Sequence, residues 1–182
     1  MAFRTRGLMV LVTLVCASQA SAAQEMERAY FRAVAGFFQV AESEIAILSH
    51  GGEVPAEELP VVLFLARRGG VSPEAVVALR GSGRAWPELA QRFGVGANAL
   101  HVPLGDAVSM GTLAPLYQRF ASTPVDQWAT LTLASDEIVA LVNVRVLAQA
   151  LGVEPDQIAG RAGSAASFVE LYASFLTRAP RP

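Results

Sequence analysis

The sequence has no lysine: all 14 of its cationic residues are arginine, set against 16 acids, for a net charge of −2. That balance offers no electrostatic pull toward nucleic acid or anionic lipid, and neither is expected as a partner. Cysteine is nearly missing. Cys16 is the only one, and it falls in a segment expected to be removed, which leaves neither disulfides nor thiol chemistry to the remainder. The small residue that precedes a lipidated cysteine is absent from Thr13-Leu14-Val15, so no lipid anchor is expected there. Histidine is limited to His50 and His101. Both end helical runs near Gly or Pro, with no His, Cys or Asp at ligand spacing, so no metal site is read and no cofactor is implied. No serine stands in a G-x-S-x-G elbow. Beyond residue 23 there is no apolar run of membrane-spanning length: Leu59–Ala66 is short, and Val139–Val146 is interrupted by Asn143 and Arg145.

What is there begins with an address. Arg4 and Arg6 precede an apolar stretch, Leu8–Val15, and then Ala20-Ser21-Ala22 or Ser21-Ala22-Ala23 at small-x-small spacing. This is the pattern of a secretory signal peptide over residues 1–23, cleaved after Ala22 or Ala23, with the product in the periplasm or the medium. Cleavage removes two arginines and no acid, so the product is more acidic still. Residues 24–182 are long enough for one compact domain with a real core.

Within that domain one stretch occurs twice. Glu58–Phe93 aligns on Ala140–Phe175 without a gap, a shift of 82 residues, and twelve of the 36 positions are identical. The matches include punctuation as well as core filler: Gly70 with Gly152, Pro73 with Pro155, Gly81-Ser82 with Gly163-Ser164. Trp86 is matched by Phe168, an aromatic anchor in each copy. Matched turn residues between matched apolar runs are what a duplicated supersecondary unit leaves behind. Each copy reads as helix, turn, short helix, turn, helix. Arg67-Arg68-Gly69-Gly70 suits the negative end of a helix and a left-handed cap, and Ser72-Pro73-Glu74 suits a helix start. Trp86, Leu89, Ala90 and Phe93 then follow one helical face.

The remaining segments are helical too. Glu25–Phe38 and Glu42–Leu48 precede the first copy, and Leu113, Leu116, Tyr117 and Phe120 open the second half. Thr123-Pro124-Val125-Asp126 predicts a capping box for a helix carrying Trp128 and Leu131. Ser135-Asp136-Glu137 predicts the start of a helix reaching Leu151, apolar nearly all round and therefore central. No alternating run competes. The expected fold is all-α, a compact multi-helix bundle of two related units, about 24–101 and 112–178, joined by an irregular linker over Val102–Gly111.

Two polar residues interrupt the central helix, Asn143 and Arg145, where the first copy has Val61 and Leu63. A buried arginine needs a partner. The expectation is an internal ion pair with Asp126, Asp136 or Asp156; the alternative is a pocket lined by Asn143, Arg145 and Gln149 for an anionic ligand or a partner's acid.

Pro73–Leu100 resembles a DNA-binding helix-turn-helix, with Trp86, Leu89, Ala90, Phe93, Gly94 and Val95 in the spacing W-x-x-L-A-x-x-F-G-V. The stretch at the recognition-helix position, Gly96–His101, has neither Arg nor Lys for phosphate or base contacts. The likeness therefore reads as a tight helical corner, and nucleic-acid binding applies only to a chain kept in the cytoplasm. The acids Glu42/Glu44, Glu57-Glu58 and Asp136-Glu137 sit at helix starts, where the dipole accounts for them. The function expected is a binding module of the envelope, with no catalytic constellation identifiable, taking a protein or an apolar or anionic small ligand. A hydrolase with paired carboxylates is the alternative.

Overall fold

The computed structural model describes residues 6–51, 54–105 and 111–178, with side chains from residue 21 to 177 within those ranges. The apolar run Leu8–Val15, as side chains, and linker residues 106–110 lie outside the described residues. Among the described residues every regular element is helical. The helices are α1 (Arg6–Phe38), α2 (Glu42–His50), α3 (Leu59–Gly69), α4 (Pro73–Gly81), α5 (Trp86–Arg92), α6 (Ala97–Leu100), α7 (Ala114–Ser122), α8 (Ser135–Leu151), α9 (Pro155–Ala159) and α10 (Phe168–Arg178). Short 3-10 turns occupy Ala56–Glu58, Gly111–Leu113, Val125–Thr130 and Ala162–Ser164.

The helix ends follow local chemistry. α3 and α8 both close on a glycine in the left-handed region, Gly70 at φ 64° and Gly152 at φ 65°. Each is followed by the same reverse bond, Val71 N–H to the Ala66 carbonyl at 3.1 Å and Val153 N–H to the Ala148 carbonyl at 3.0 Å. Only glycine adopts that conformation without steric cost, and the bond satisfies a carbonyl the helix leaves free. Pro73 and Pro155 then occupy the first helical position of α4 and α9, where the missing N–H would have had no partner anyway. The Ser72 hydroxyl accepts the Ala75 N–H at 3.3 Å.

α1 starts inside the expected leader and runs unbroken to Phe38. Ser21–Gln24, where cleavage is expected, are exposed on it, and from Ser21 onward the first fully buried side chain is Tyr30. α8 is the centre of the fold: α1, α3, α5, α6, α9 and α10 all pack on it. Ile138, Leu141, Val144, Val146 and Leu147 are each at most 1% exposed, and burial of side chains of this size contributes about 1.5–3 kcal/mol apiece.

One predicted start is replaced. Thr123 caps nothing; Val125–Thr130 winds as a 3-10 turn preceded by Pro124, with no side-chain cap, and Leu131 lies beyond it in extended backbone. Trp128 is the reason. Its indole N–H donates to the carbonyls of Phe120 and Thr123, at 3.1 and 3.0 Å, which ties the segment back onto the end of α7. At the start of α8, the Glu137 carboxylate accepts the Ala134 N–H at 2.8 Å. Ala134 has no side-chain oxygen to return the bond, so Glu137 caps alone.

Candidate functional site

The sequence singled out Asn143, Arg145 and Gln149, and α8 turns them to different neighbours. Asn143 is fully buried. Its amide donates to the Glu57 carbonyl at 2.8 Å and the Val139 carbonyl at 2.9 Å, and its oxygen accepts the Tyr30 hydroxyl. The Glu57 carboxylate in turn accepts the Phe168 N–H at 3.0 Å, at the start of α10. This network clamps α1, the Ala56–Glu58 turn and α10 onto the central helix. Burial, reinforced by Glu57, pushes the Tyr30 phenol well above its ordinary pKa. Asn143 has no face free for a ligand.

Arg145 points the other way and meets carbonyls, not carboxylates. Its Nη2 donates to Ala99, Leu100 and His101 at 3.2, 3.2 and 2.8 Å. These belong to the C-terminal end of α6, which has carbonyls left over. The ion pair with Asp126, Asp136 or Asp156 does not form. Asp156 instead accepts the Gly105 N–H at 2.8 Å. Gln149, one turn along α8, is exposed.

His101 continues from the end of α6 into an aromatic box. Its ring lies 4.4 Å from Trp128, 4.8 Å from Phe120 and 5.5 Å from Tyr117, centre to centre. Burial first, and then the neighbouring Arg145 charge, lowers its pKa, so the neutral imidazole is favoured. Burial also pushes Tyr117 up to about 12; its hydroxyl donates to the Val102 carbonyl. His50, by contrast, is exposed on α2 and bonds only to the Ala46 carbonyl.

The box has a consequence for shape. His101 ends the α5–α6 corner and Trp128 precedes Ala129–Leu133, the end of the 3-10 turn and the residues after it, so their stack sets how far apart those two stretches stand. Between them lies an open groove of about 620 Å³. Its walls mix apolar and polar surface, with Ala90, Val95, Ala97 and Leu100 on one side and Leu131, Leu133 and Ile138 on the other. Gln91, Asn98, Thr130 and Thr132 supply neutral polar groups. One acid lines it, Glu88, 3.5 Å from the Arg84 guanidinium; a two-carboxylate mechanism has no second acid there. The walls approach closely at Gly96, where a Cβ would stand 2.9 Å from the Ala129 carbonyl oxygen.

Sequence reasoning missed this groove. Its two walls are some thirty residues apart, and the signal available was the cluster of small residues at Gly94, Gly96, Ala97 and Ala129. The helix-turn-helix likeness falls on one wall. α6 is a single turn with Ala97 and Leu100 buried, and it packs against Val125–Thr130, so it does not project as a recognition helix.

The other expected acids hold structure. Glu58 takes a two-point bond from Arg80 at 2.8 and 2.9 Å, and that bond raises the Arg80 pKa. Glu137 pairs with Arg119. Among the described residues no group of three His, Cys, Asp or Glu is placed to hold a metal ion, and no helix is long and apolar enough to cross a membrane. Comparison with protein-family models, with curated proteins and with solved structures finds no match to this chain.

Proposed function

We propose that the chain is exported and acts in the cell envelope as a binding module, holding an apolar, uncharged stretch of a partner polypeptide in the groove between α5–α6 and Ala129–Leu133. The observation that carries this reading is the groove lining: apolar side chains interleaved with amide and hydroxyl groups, the composition of sites that take peptides by shape and oriented bonds. Export is supported by the leader pattern and by the exposure of Ser21–Gln24, where cleavage is expected. N-terminal sequencing of the natively expressed protein from the periplasm or medium is expected to begin at Ala23 or Gln24; an intact Met1 in the cytoplasm overturns it.

For the groove, a photo-crosslinking residue at exposed Thr132 is expected to capture a discrete partner in envelope extracts, whereas one at Glu74 on α4 does not. Asn98→Trp, which fills the groove from an exposed position, is expected to abolish the capture. Equal capture from both positions, or capture indifferent to Asn98→Trp, refutes the groove.

We further infer that the two related stretches arose by duplication of one helical unit. The matched cap angles at Gly70 and Gly152 support this. So do the helix starts at Pro73 and Pro155, and at Trp86 and Phe168, which keep the shift found in the sequence. Replacing Val71–Glu74 by the sequence of Val153–Asp156 is then expected to leave the melting temperature within a few degrees, about 1 kcal/mol. A chain that fails to fold argues against equivalent turns.

A further inference from the structure

We propose that Phe64, Arg68 and Arg145 form a binding site for an oxyanion, a carboxylate or phosphate group, separate from the groove. Phe64 and Arg68 lie one turn apart on α3, and Arg145 comes across from α8. The Arg145 guanidinium carbon stands 5.1 Å from the centre of the Phe64 ring, and that of Arg68 stands 5.5 Å from the same ring. Phe64 is only 6% exposed, and two cations lie within 5.5 Å of the centre of its ring.

The cations are held without a counter-charge. Arg28, Arg80, Arg84 and Arg119 each have a carboxylate partner; among the described residues Arg68 and Arg145, like Arg32, Arg67, Arg92 and Arg161, have none. Stacking on an aromatic ring occupies the flat face of a guanidinium and leaves the in-plane N–H groups free. Arg145 gives only Nη2 to the carbonyls at the end of α6. Its Nε and Nη1 have no hydrogen-bond partner among the described residues, and the same is true of the Arg68 guanidinium. Burial, and then the Arg68 charge, lower the Arg145 pKa, as expected for two like charges near one another. An oxyanion offers each guanidinium an acceptor and removes that repulsion at once, and flat, two-oxygen acceptors match the guanidinium fork. Gln149, on the same face of α8 as Arg145, adds a neutral donor one turn away.

The test is arginine-selective 15N NMR of the purified protein, titrated with sodium phosphate and, in a second arm, sodium acetate, each against sodium chloride at equal ionic strength. The expected result is saturable movement of the Arg68 and Arg145 Nε signals in at least one arm. Saturation by phosphate alone assigns a phosphate ligand, and saturation by acetate as well assigns oxyanions in general. Arg68→Gln, at an exposed position, is expected to fold normally and weaken binding at least about tenfold, the loss of one charge-assisted contact. Arg145→Lys, which keeps the charge but not the fork, is expected to weaken it as well. Shifts that follow chloride equally, shifts that never saturate, or an affinity unchanged in Arg68→Gln overturn the site.

Discussion

α3 and α8 occupy matching positions in the two stretches that align at a shift of 82 residues, and both end on a left-handed glycine, yet they treat their neighbours differently. α3 is apolar along its buried length, with Val61 and Leu63 in the core. α8 carries Asn143 and Arg145 at the corresponding places and uses them as fasteners. Each reaches carbonyls that short elements leave free: that of Glu57 in the Ala56–Glu58 turn, and those of residues 99–101 at the end of α6. The lesson is general for a helix enclosed on several sides. Where a neighbour presents side chains, an apolar residue suffices; where it presents unpaired backbone, a donor is required.

That contrast can be broken at Asn143. Asn143→Leu leaves the Tyr30 hydroxyl and the Glu57 carbonyl buried without partners, and is expected to cost about 2–5 kcal/mol in urea unfolding. A variant as stable as the parent would mean that α8 is merely filler, like α3. Next in size are the shared caps. Nothing lies within 4 Å of a Cβ at Gly70 or at Gly152, so Gly→Ala at either meets only the backbone cost of the left-handed region, about 1–2 kcal/mol. The two are expected to agree within a few tenths of a kcal/mol; unequal costs would separate the two helix ends.

A smaller effect is expected at the aromatic anchors. The Trp86 indole nitrogen is buried with no hydrogen-bond partner among the described residues, and its counterpart Phe168 has no such group to satisfy. Trp86→Phe loses some packing but relieves the orphan, and is expected to change stability by less than about 1 kcal/mol. A loss of several kcal/mol would show that the indole nitrogen is in fact bonded.

The smallest effect distinguishes the two sides of α8. His101 has a folded pKa below its unfolded one, so below the ordinary histidine value the unfolded chain takes up the proton and the folded chain resists it. Stability is full above about pH 6.5 and is lost as pH falls through the folded value. His101→Phe keeps the ring and removes the titration, so its melting temperature is expected to fall less than the parent's between pH 7.5 and 5. The Asn143 side, where the Tyr30 phenol is held neutral, contributes nothing to that difference.

Much of the framework was legible because it is local. The glycine caps, the proline starts and the apolar face of Trp86, Leu89 and Ala90 are dictated by residues within a turn of one another, and the apolar girth of α8 announced that it is enclosed. What failed was set from a distance. Thr123 and Asp126 have the spacing of a capping box, but the indole of Trp128 draws the segment onto α7 and the aromatic box, and a tighter turn results. Arg145 was matched to acids because sequence displays acids; the carbonyls it bonds belong to residues 44 to 46 positions earlier, and backbone acceptors leave no mark in composition. The groove is hidden for the same reason, as each wall is an ordinary short segment until the other is beside it.

The bond from Tyr30 to Asn143 joins residues 113 positions apart. During synthesis at about 5–20 residues per second, Tyr30 waits roughly 6–23 seconds for its partner to be made. Through that interval the amino-terminal segment has no finished core to retreat into, and whatever engages the nascent chain meets it unfolded.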